Sequence, residues 1–368
     1  MNRFNTLIIG EIAQDTNVDY DGATVQAIGG AVYYSGFAAA NMGHKTAVLP
    51  KADTTQVDLK AAFAAAPNVT VFPLHSTHSF VTKNVYHTPD RERRTSTVDS
   101  KIDPYRPEEV PEEIDAEIWH LAGLVGGDIP DEFLPFAAGR AKLAIDVQCM
   151  LRWEENGGMV YRDWGAKKEL LPYVRFLKTD AAEAEILTGL TDRVEAAKVL
   201  YGWGAKEVLI THNTEVLAYD GKEVYTCPIK ARSLGGRTGR GDTTFACYVN
   251  ERLTQDIPAA LRTATALVSL KMETPGPYMG TRADVEDYKA RRRSITKANV
   301  CDTKDVVYRN DPNNGDEIAY VPASYFVKLD SSYDKTYQQY VLRRDANGDW
   351  KILTYYQIAA AETEDEDD

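Results

Sequence analysis

The sequence predicts an α/β fold: a mostly parallel sheet covered by helices on both faces, with a small β lid and a small β-rich C-terminal extension. Three observations predict it. Short β-branched runs alternate with helix-period segments along most of the chain, the pattern of βαβ units. Two extended, polar stretches interrupt that alternation in the first third. Beyond residue 300 the pattern changes to Tyr-rich segments in which polar and apolar positions alternate.

In chain order, the expected strands of the main sheet are Thr6–Ile12, Thr46–Pro50, Val69–Pro73, Ile118–Ala122, Lys142–Val147, Val174–Leu177 and Glu207–Thr211. The helical patterns between them are Gly30–Met42, Leu59–Ala65, Asp131–Arg140, Asp180–Leu187 and Arg193–Tyr201. Asn17–Ile28 and Phe80–Val98 read as hairpin-like segments, so lid strands are expected near 15–30 and 78–98. Helices follow at Asp242–Leu253, Pro258–Met272 and Arg282–Arg292, with the loop Glu273–Pro277 between the last two. One α/β domain is thus expected over 1–295. Strands at Tyr320–Leu329, Tyr337–Arg343 and Trp350–Ile358, with turn signals at 310–315 and 345–348, suggest a small β domain over 300–360. A unit of about 60 residues is marginal alone and should dock on the main domain or on a second subunit. The acidic run at 361–368 reads as a disordered tail.

The 368 residues carry 55 acidic against 42 basic side chains, a formal charge of −13. Nucleic acid and anionic membranes require a basic footprint, so neither is an expected partner. Cys149, Cys227, Cys247 and Cys301 are widely spaced, without zinc or disulfide patterning, and no run reaches the ~18 apolar residues of a membrane span. The expectation is a soluble cytoplasmic protein.

Gly235-Gly-Arg-Thr-Gly-Arg-Gly-Asp-Thr-Thr-Phe-Ala246 is the most informative stretch. A glycine-dense loop running into a helix brings unpaired N–H groups together as an anion hole. An acid at that point, Asp242, can accept the proton of an attacking hydroxyl while the amides stabilise a transferring phosphoryl group. The same loop also reads as an ordinary connection with Asp242 capping the helix. No P-loop occurs.

This segment resembles the C-terminal signature of the ribokinase-like carbohydrate kinase family, and the resemblance extends over roughly residues 4–292. It implies ATP-dependent phosphorylation of a hydroxyl on a small sugar-like acceptor, with Mg²⁺, and leaves room for a monovalent cation and for a homodimer. By that match Asp242 is the base, and Gly239, Arg240 and Gly241 form the anion hole. Gly236 stands where the family has an acid and Arg240 where it has alanine; the arginine could add charge at the phosphates or crowd them. An aspartate beside helix amides is expected to have a low pKa. Gly29-Gly30 resembles the N-terminal signature, with Tyr34 in place of the usual asparagine, and Asp15, at the end of the first strand, resembles the carboxylate that holds vicinal hydroxyls. Phe176–Glu183 is similar to the Asn-x-x-Glu motif, which implies Asp180 and Glu183 at the metal, directly or through water, and Lys178 and Asp180 beside the nucleotide. Asp146, Gln148 and Arg152 resemble a stretch near the reaction centre. Thr211 and Asn213 resemble the nucleotide-side turn, asparagine replacing a glycine of positive φ.

Sugars, cyclitols and nucleosides all remain as acceptors, with a sugar or cyclitol preferred. The competing readings are a non-catalytic sugar- or nucleotide-binding sensor on the same fold, favoured by Gly236 and Arg240, and a ligand or dimerisation role for the C-terminal piece.

Overall fold

The structure is a computed structural model that describes residues 3–66, 68–88, 93–233, 235–291, 294–300, 307–310, 317–328, 333–344 and 350–357. It divides into two compact units, Met1–Glu286 and Asp287–Asp368.

The first unit is built on a ten-stranded sheet. From one edge its strands run Val224–Pro228, Glu215–Tyr219, Val208–Thr211, Val174–Asp180, Lys142–Asp146, Ala116–Leu121, Phe4–Glu11, Thr46–Ala52 and Val69–Val71, with Leu74–His75 also on Thr46–Ala52. The strands from Val69 to Thr211 are parallel, and the last two on the far edge are antiparallel. Alternate side chains of one strand enter different cores, as a sheet covered on both faces requires. Leu7 and Ile9 pack with Leu121, Ile145 and Leu177. Ile8 joins Val48 and the helix residues Val32 and Phe37 on the opposite side.

A second, six-stranded sheet runs Arg152–Glu155, Gly158–Tyr161, Arg94–Ser100, Phe80–Tyr86, Ala13–Val18 and Thr24–Gly29. Two of its features correct the sequence reading. Asp15 lies inside the lid strand Ala13–Val18, not at the end of the first strand, which stops at Glu11. The hairpin 152–161 was not expected, although Asn156-Gly157 carries the asparagine-glycine signal of a tight hairpin turn. Both residues take positive φ, 52° and 80°.

Smaller differences are boundary shifts. The helix expected over Leu59–Ala65 stops at Ala62, that expected from Asp131 begins at Phe133, and Val69–Pro73 is a strand only to Val71. The helix expected from Asp242 begins at Arg240, behind Gly239 in the left-handed region (φ 75°).

The second unit is an antiparallel sheet in the order Ser294–Val300, Glu317–Lys328, Tyr333–Arg344, Trp350–Gln357, with Val307–Asn310 also paired to Glu317–Lys328. The division falls after Glu286 and not at 295–300, because Ser294–Val300 belongs to this sheet. The turns near 311–315 and 345–348, Cys301 and the acidic tail lie outside the described residues.

Candidate active site

A cavity of about 440 Å³ is lined by the lid sheet, by residues at the carboxyl ends of the parallel strands and by the head of the helix Arg240–Glu251. This is where ligands of open α/β sheets bind. Asp15, Gly30, Tyr34, Lys178, Asp180, Glu183, Thr211, Asn213, Gly239, Arg240, Gly241 and Asp242 all line it, as do Gln148 and Arg152. Gly29 does not.

The glycines of the loop are each demanded by a neighbour. A Cβ on Gly239 would lie 2.2 Å from the ring of Tyr34, and its φ is left-handed as well. At Gly236 a Cβ would sit 1.8 Å from the carbonyl oxygen of Thr274, so the acid that the resemblance expects there is sterically excluded. The amide of Arg240 donates to the carbonyl of Arg237 at 3.2 Å. The Arg240 amide is thus engaged within the loop, which corrects the expectation of three consecutive open amides, while Gly241 and Asp242 lie in the first turn of the helix, whose amides lack intrahelical acceptors.

Asp242 reverses a second expectation. Burial raises its pKa to about 6, Asp146 pushes the same way, and Lys178, Arg152 and Lys271 offset this only in part. Among the described residues no amide donates to its carboxylate, so the stabilisation expected from the helix is missing and desolvation dominates.

Asp15 is half-buried and accepts a hydrogen bond from Thr82 Oγ1 at 2.5 Å. Burial raises its pKa, against the Thr82 bond and the charge of Arg94. A Cβ on Gly29 would stand 2.2 Å from Asp15 Oδ2. Gly29 therefore makes room for this carboxylate. Gly30 caps the helix Ala31–Asn41 at φ 106°, and a Cβ there would meet the Glu11 carbonyl at 2.3 Å. Tyr34 has its pKa raised by burial and by the Asp15 and Asp242 carboxylates, so its phenol stays protonated.

Lys178 is buried and reaches both oxygens of Asp146, at 2.8 and 3.1 Å. Burial pulls its pKa down, but Asp146, Glu183 and Asp180 more than reverse this, and it remains an ammonium ion under Gly241. Asp180 and Glu183 form a capping box: Glu183 N–H donates to Asp180 Oδ1, and Asp180 N–H donates to Glu183 Oε2, both at 2.8 Å. Glu183 Oε2 also lies 3.9 Å from Lys178 Nζ, and burial lifts the Glu183 pKa to about 7. A carboxylate so engaged, beside an ammonium group, does not fit a directly ligated Mg²⁺. No group of three metal-ligating side chains occurs among the described residues. The two acids form a helix start in this structure.

Asn213 is not at positive φ, as the turn analogy required; Asn156 is the one such non-glycine residue among those described. Asn213 instead accepts a hydrogen bond from Arg240 Nη1 at 2.8 Å. Arg240 therefore reaches across to the end of the strand Val208–Thr211.

Several lining residues were not singled out from the sequence. Phe80, Thr82, Asn84 and Tyr86 alternate along one lid strand, with Arg94 and Ser96 opposite Tyr86 and Asn84. The period of two was the available signal. Arg237 and, behind the loop, Lys271 carried none.

A parallel sheet with a lid sheet beside its carboxyl ends, and an aspartate at the head of a glycine-preceded helix, define a ribokinase-like phosphotransferase. The pfkB family carbohydrate kinase pattern matches residues 24–283, and the chain belongs to that family. Residues 276–355 match a domain of unknown function, DUF6715. A cytidine kinase of Thermococcus kodakarensis is 27% identical over 249 residues, 64% of this chain and 84% of that one. A pyrophosphate-dependent kinase of the ribokinase family, solved with a pyrophosphate analogue and myo-inositol, is 33% identical with a TM-score of 0.70. That match covers 77% of this chain and 99% of the other. A structure described as the conversion of a pyrophosphate-dependent myo-inositol-1 kinase into a myo-inositol-3 kinase, by changing one asparagine and one serine to leucine, is 31% identical. It has a TM-score of 0.69 and covers 78% and 99% of the two chains. Among the described residues no helix is long and apolar enough to cross a membrane.

Proposed function

We propose that the chain transfers a phosphoryl group from inorganic pyrophosphate to a hydroxyl of a cyclitol or similar polyol. The observation that carries this is one cavity lined both by carboxylates suited to hydroxyls, Asp15 and Asp242, and by Arg94, Arg152, Lys178, Arg237 and Arg240. A small, highly charged donor is bound through such cations. Arg240 favours pyrophosphate over ATP, because its guanidinium is tied to Asn213, where the resemblance expects a nucleotide turn. The relatives that are a third identical and described as pyrophosphate-dependent support the same donor.

In the proposed reaction Asp242 takes the proton of the acceptor hydroxyl as its oxygen bonds to phosphorus. The bridging P–O bond breaks and orthophosphate leaves. The amides of Gly239 and Gly241 and the side chain of Arg240 meet the charge on the transferring oxygens. Asp15, fixed by Thr82, accepts hydrogen bonds from neighbouring hydroxyls of the acceptor.

Because the base acts ionised and its pKa is raised to about 6, the rate is expected to fall as pH drops through 6 and to level off above it. A pH–rate profile flat down to pH 5 would remove Asp242 from the role. A further expectation concerns the lid. Ser96 Oγ donates to Asn84 Oδ1 at 2.7 Å on the cavity wall, and this polar pair is proposed to set which hydroxyl faces Asp242. Replacing both with leucine should change the regiochemistry of the product, read by phosphorus and proton NMR, more than it changes turnover. An unaltered product would place the selection elsewhere.

The deciding experiment compares pyrophosphate with Mg-ATP against myo-inositol, ribose and cytidine, following acceptor-dependent release of phosphate or ADP. Transfer from ATP alone would replace the proposed donor by the one the resemblance implies. Cytidine as the preferred acceptor would support the nucleoside reading, and no transfer from either donor would support the sensor.

A further inference from the structure

Lys271 is the last residue of the helix Ile257–Lys271, and its side chain is 1% exposed. A buried ammonium group is costly unless its hydrogens find partners. Here two of them go to backbone carbonyls of the glycine-rich loop, Gly236 O at 2.5 Å and Thr238 O. The ammonium also lies 5.2 Å from the centre of the Tyr34 ring, the ring that packs against Gly239. Among the described residues no carboxylate lies within ion-pair distance of it. The charge is therefore held by the loop itself.

We propose that Lys271 is a built-in cation for the phosphate-binding loop: its ammonium turns the carbonyls of Gly236 and Thr238 inward, so that the amides of Gly239 and Gly241 face the cavity. The inference rests on the phosphoryl-transfer reading and deepens it, for it makes the enzyme independent of any monovalent cation. The two carbonyls are the oxygens with which this loop could bind potassium, and Lys271 already occupies them. The missing acid at 236 fits the same picture. The Thr274 carbonyl excludes a side chain there, and the positive charge beside the loop is supplied from the neighbouring helix.

Lys271 acts through the loop and is a positioning residue. Asp242 and the Tyr34 phenol are the titratable groups facing it; Arg237 belongs to the same loop, and Glu273, two residues on, is held by Arg232. Burial lowers the Lys271 pKa to about 8, against the opposing pull of Asp242. The ammonium, and with it the loop geometry, is accordingly lost as pH rises through 8, which adds an alkaline limb to the pH profile.

The test uses the full chain in tetramethylammonium chloride, with and without potassium chloride. Two readouts are taken: pyrophosphate-dependent phosphorylation, and calorimetric binding of methylenediphosphonate, which needs no turnover. Wild type should be indifferent to potassium in both. Lys271→Ala, which opens space for an ion, should weaken binding and turnover by at least ~10-fold, a modest fraction of what a lost anion-hole donor costs. Potassium or ammonium should restore it and abolish the alkaline limb. Lys271→Met fills the space without charge and should be weak under all salts. Potassium stimulation of wild type, an unimpaired Lys271→Ala, or an impairment no cation relieves would each overturn the proposal. Should wild type transfer nothing yet bind methylenediphosphonate, the kinase reading fails while the binding arm still decides the role of Lys271. Absence of that binding overturns both.

Discussion

Replacing Asp242 with asparagine is expected to lower turnover by at least ~10²-fold, the usual contribution of a positioned base. The variant keeps the volume and polarity of the side chain, so acceptor and donor should still bind. It should also fold at least as well as wild type. The folded-state pKa of Asp242 is raised to about 6 from an ordinary 3.8. The folded protein therefore binds the proton more tightly, and the charged form carries a stability cost that is present above about pH 6 and fades as pH falls toward 4. Asparagine removes that cost at neutral pH. Steady-state kinetics alongside a urea melt test both halves: retained turnover would dismiss Asp242 as base, and a destabilised variant would contradict the origin assigned to its raised pKa.

The second large effect is on stability. Asp146 and Lys178 face one another across neighbouring strands in direct register, 2% and 5% exposed. Lys178→Met leaves a buried carboxylate without its counter-ion, a change that typically costs ~3–5 kcal/mol. Denaturant unfolding of the first unit's signal should show it. Removing both charges, as Asp146→Asn with Lys178→Met, should recover most of the loss, because no unpaired charge remains. A cost below ~1 kcal/mol for the single variant would mean that water reaches Asp146 and that the pair is not sealed. Lys178 also holds the Asp242 pKa down, so the acid limb of the double variant's pH profile reports whether the site still feels the pair.

How far the site was legible depended on the range over which each residue acts. That Asp242, Gly239 and Gly241 sit together at the head of a helix was readable because a loop entering a helix is built within a few residues, and sequence spacing contains that information. The lid is readable as broken alternation, and its third hairpin carries its signal only in the Asn156-Gly157 turn. The spacing of Asp180 and Glu183 suggests metal, and the same i, i+3 spacing serves the capping box that the structure shows. Arg237 and Lys271 were silent: a lysine near the end of an apolar helix looks like any other, and what sets Lys271 apart is a loop more than thirty residues earlier in the chain.

The sequence by itself determined the architecture, the family and the head of the helix that carries Asp242, since periodicity and glycine placement act locally. The tertiary structure alone decided the surroundings of each charge and which side chains meet in the cavity. Asp242 is a stronger base than its helix position suggested because burial and Asp146 outweigh the nearby cations. Gly236 excludes an acid because the Thr274 carbonyl lies against it, and the Arg240 side chain reaches out of the glycine-rich loop to meet Asn213. Desolvation, steric exclusion and the field of distant charges depend on which segments meet in space, and spacing along a chain does not encode that.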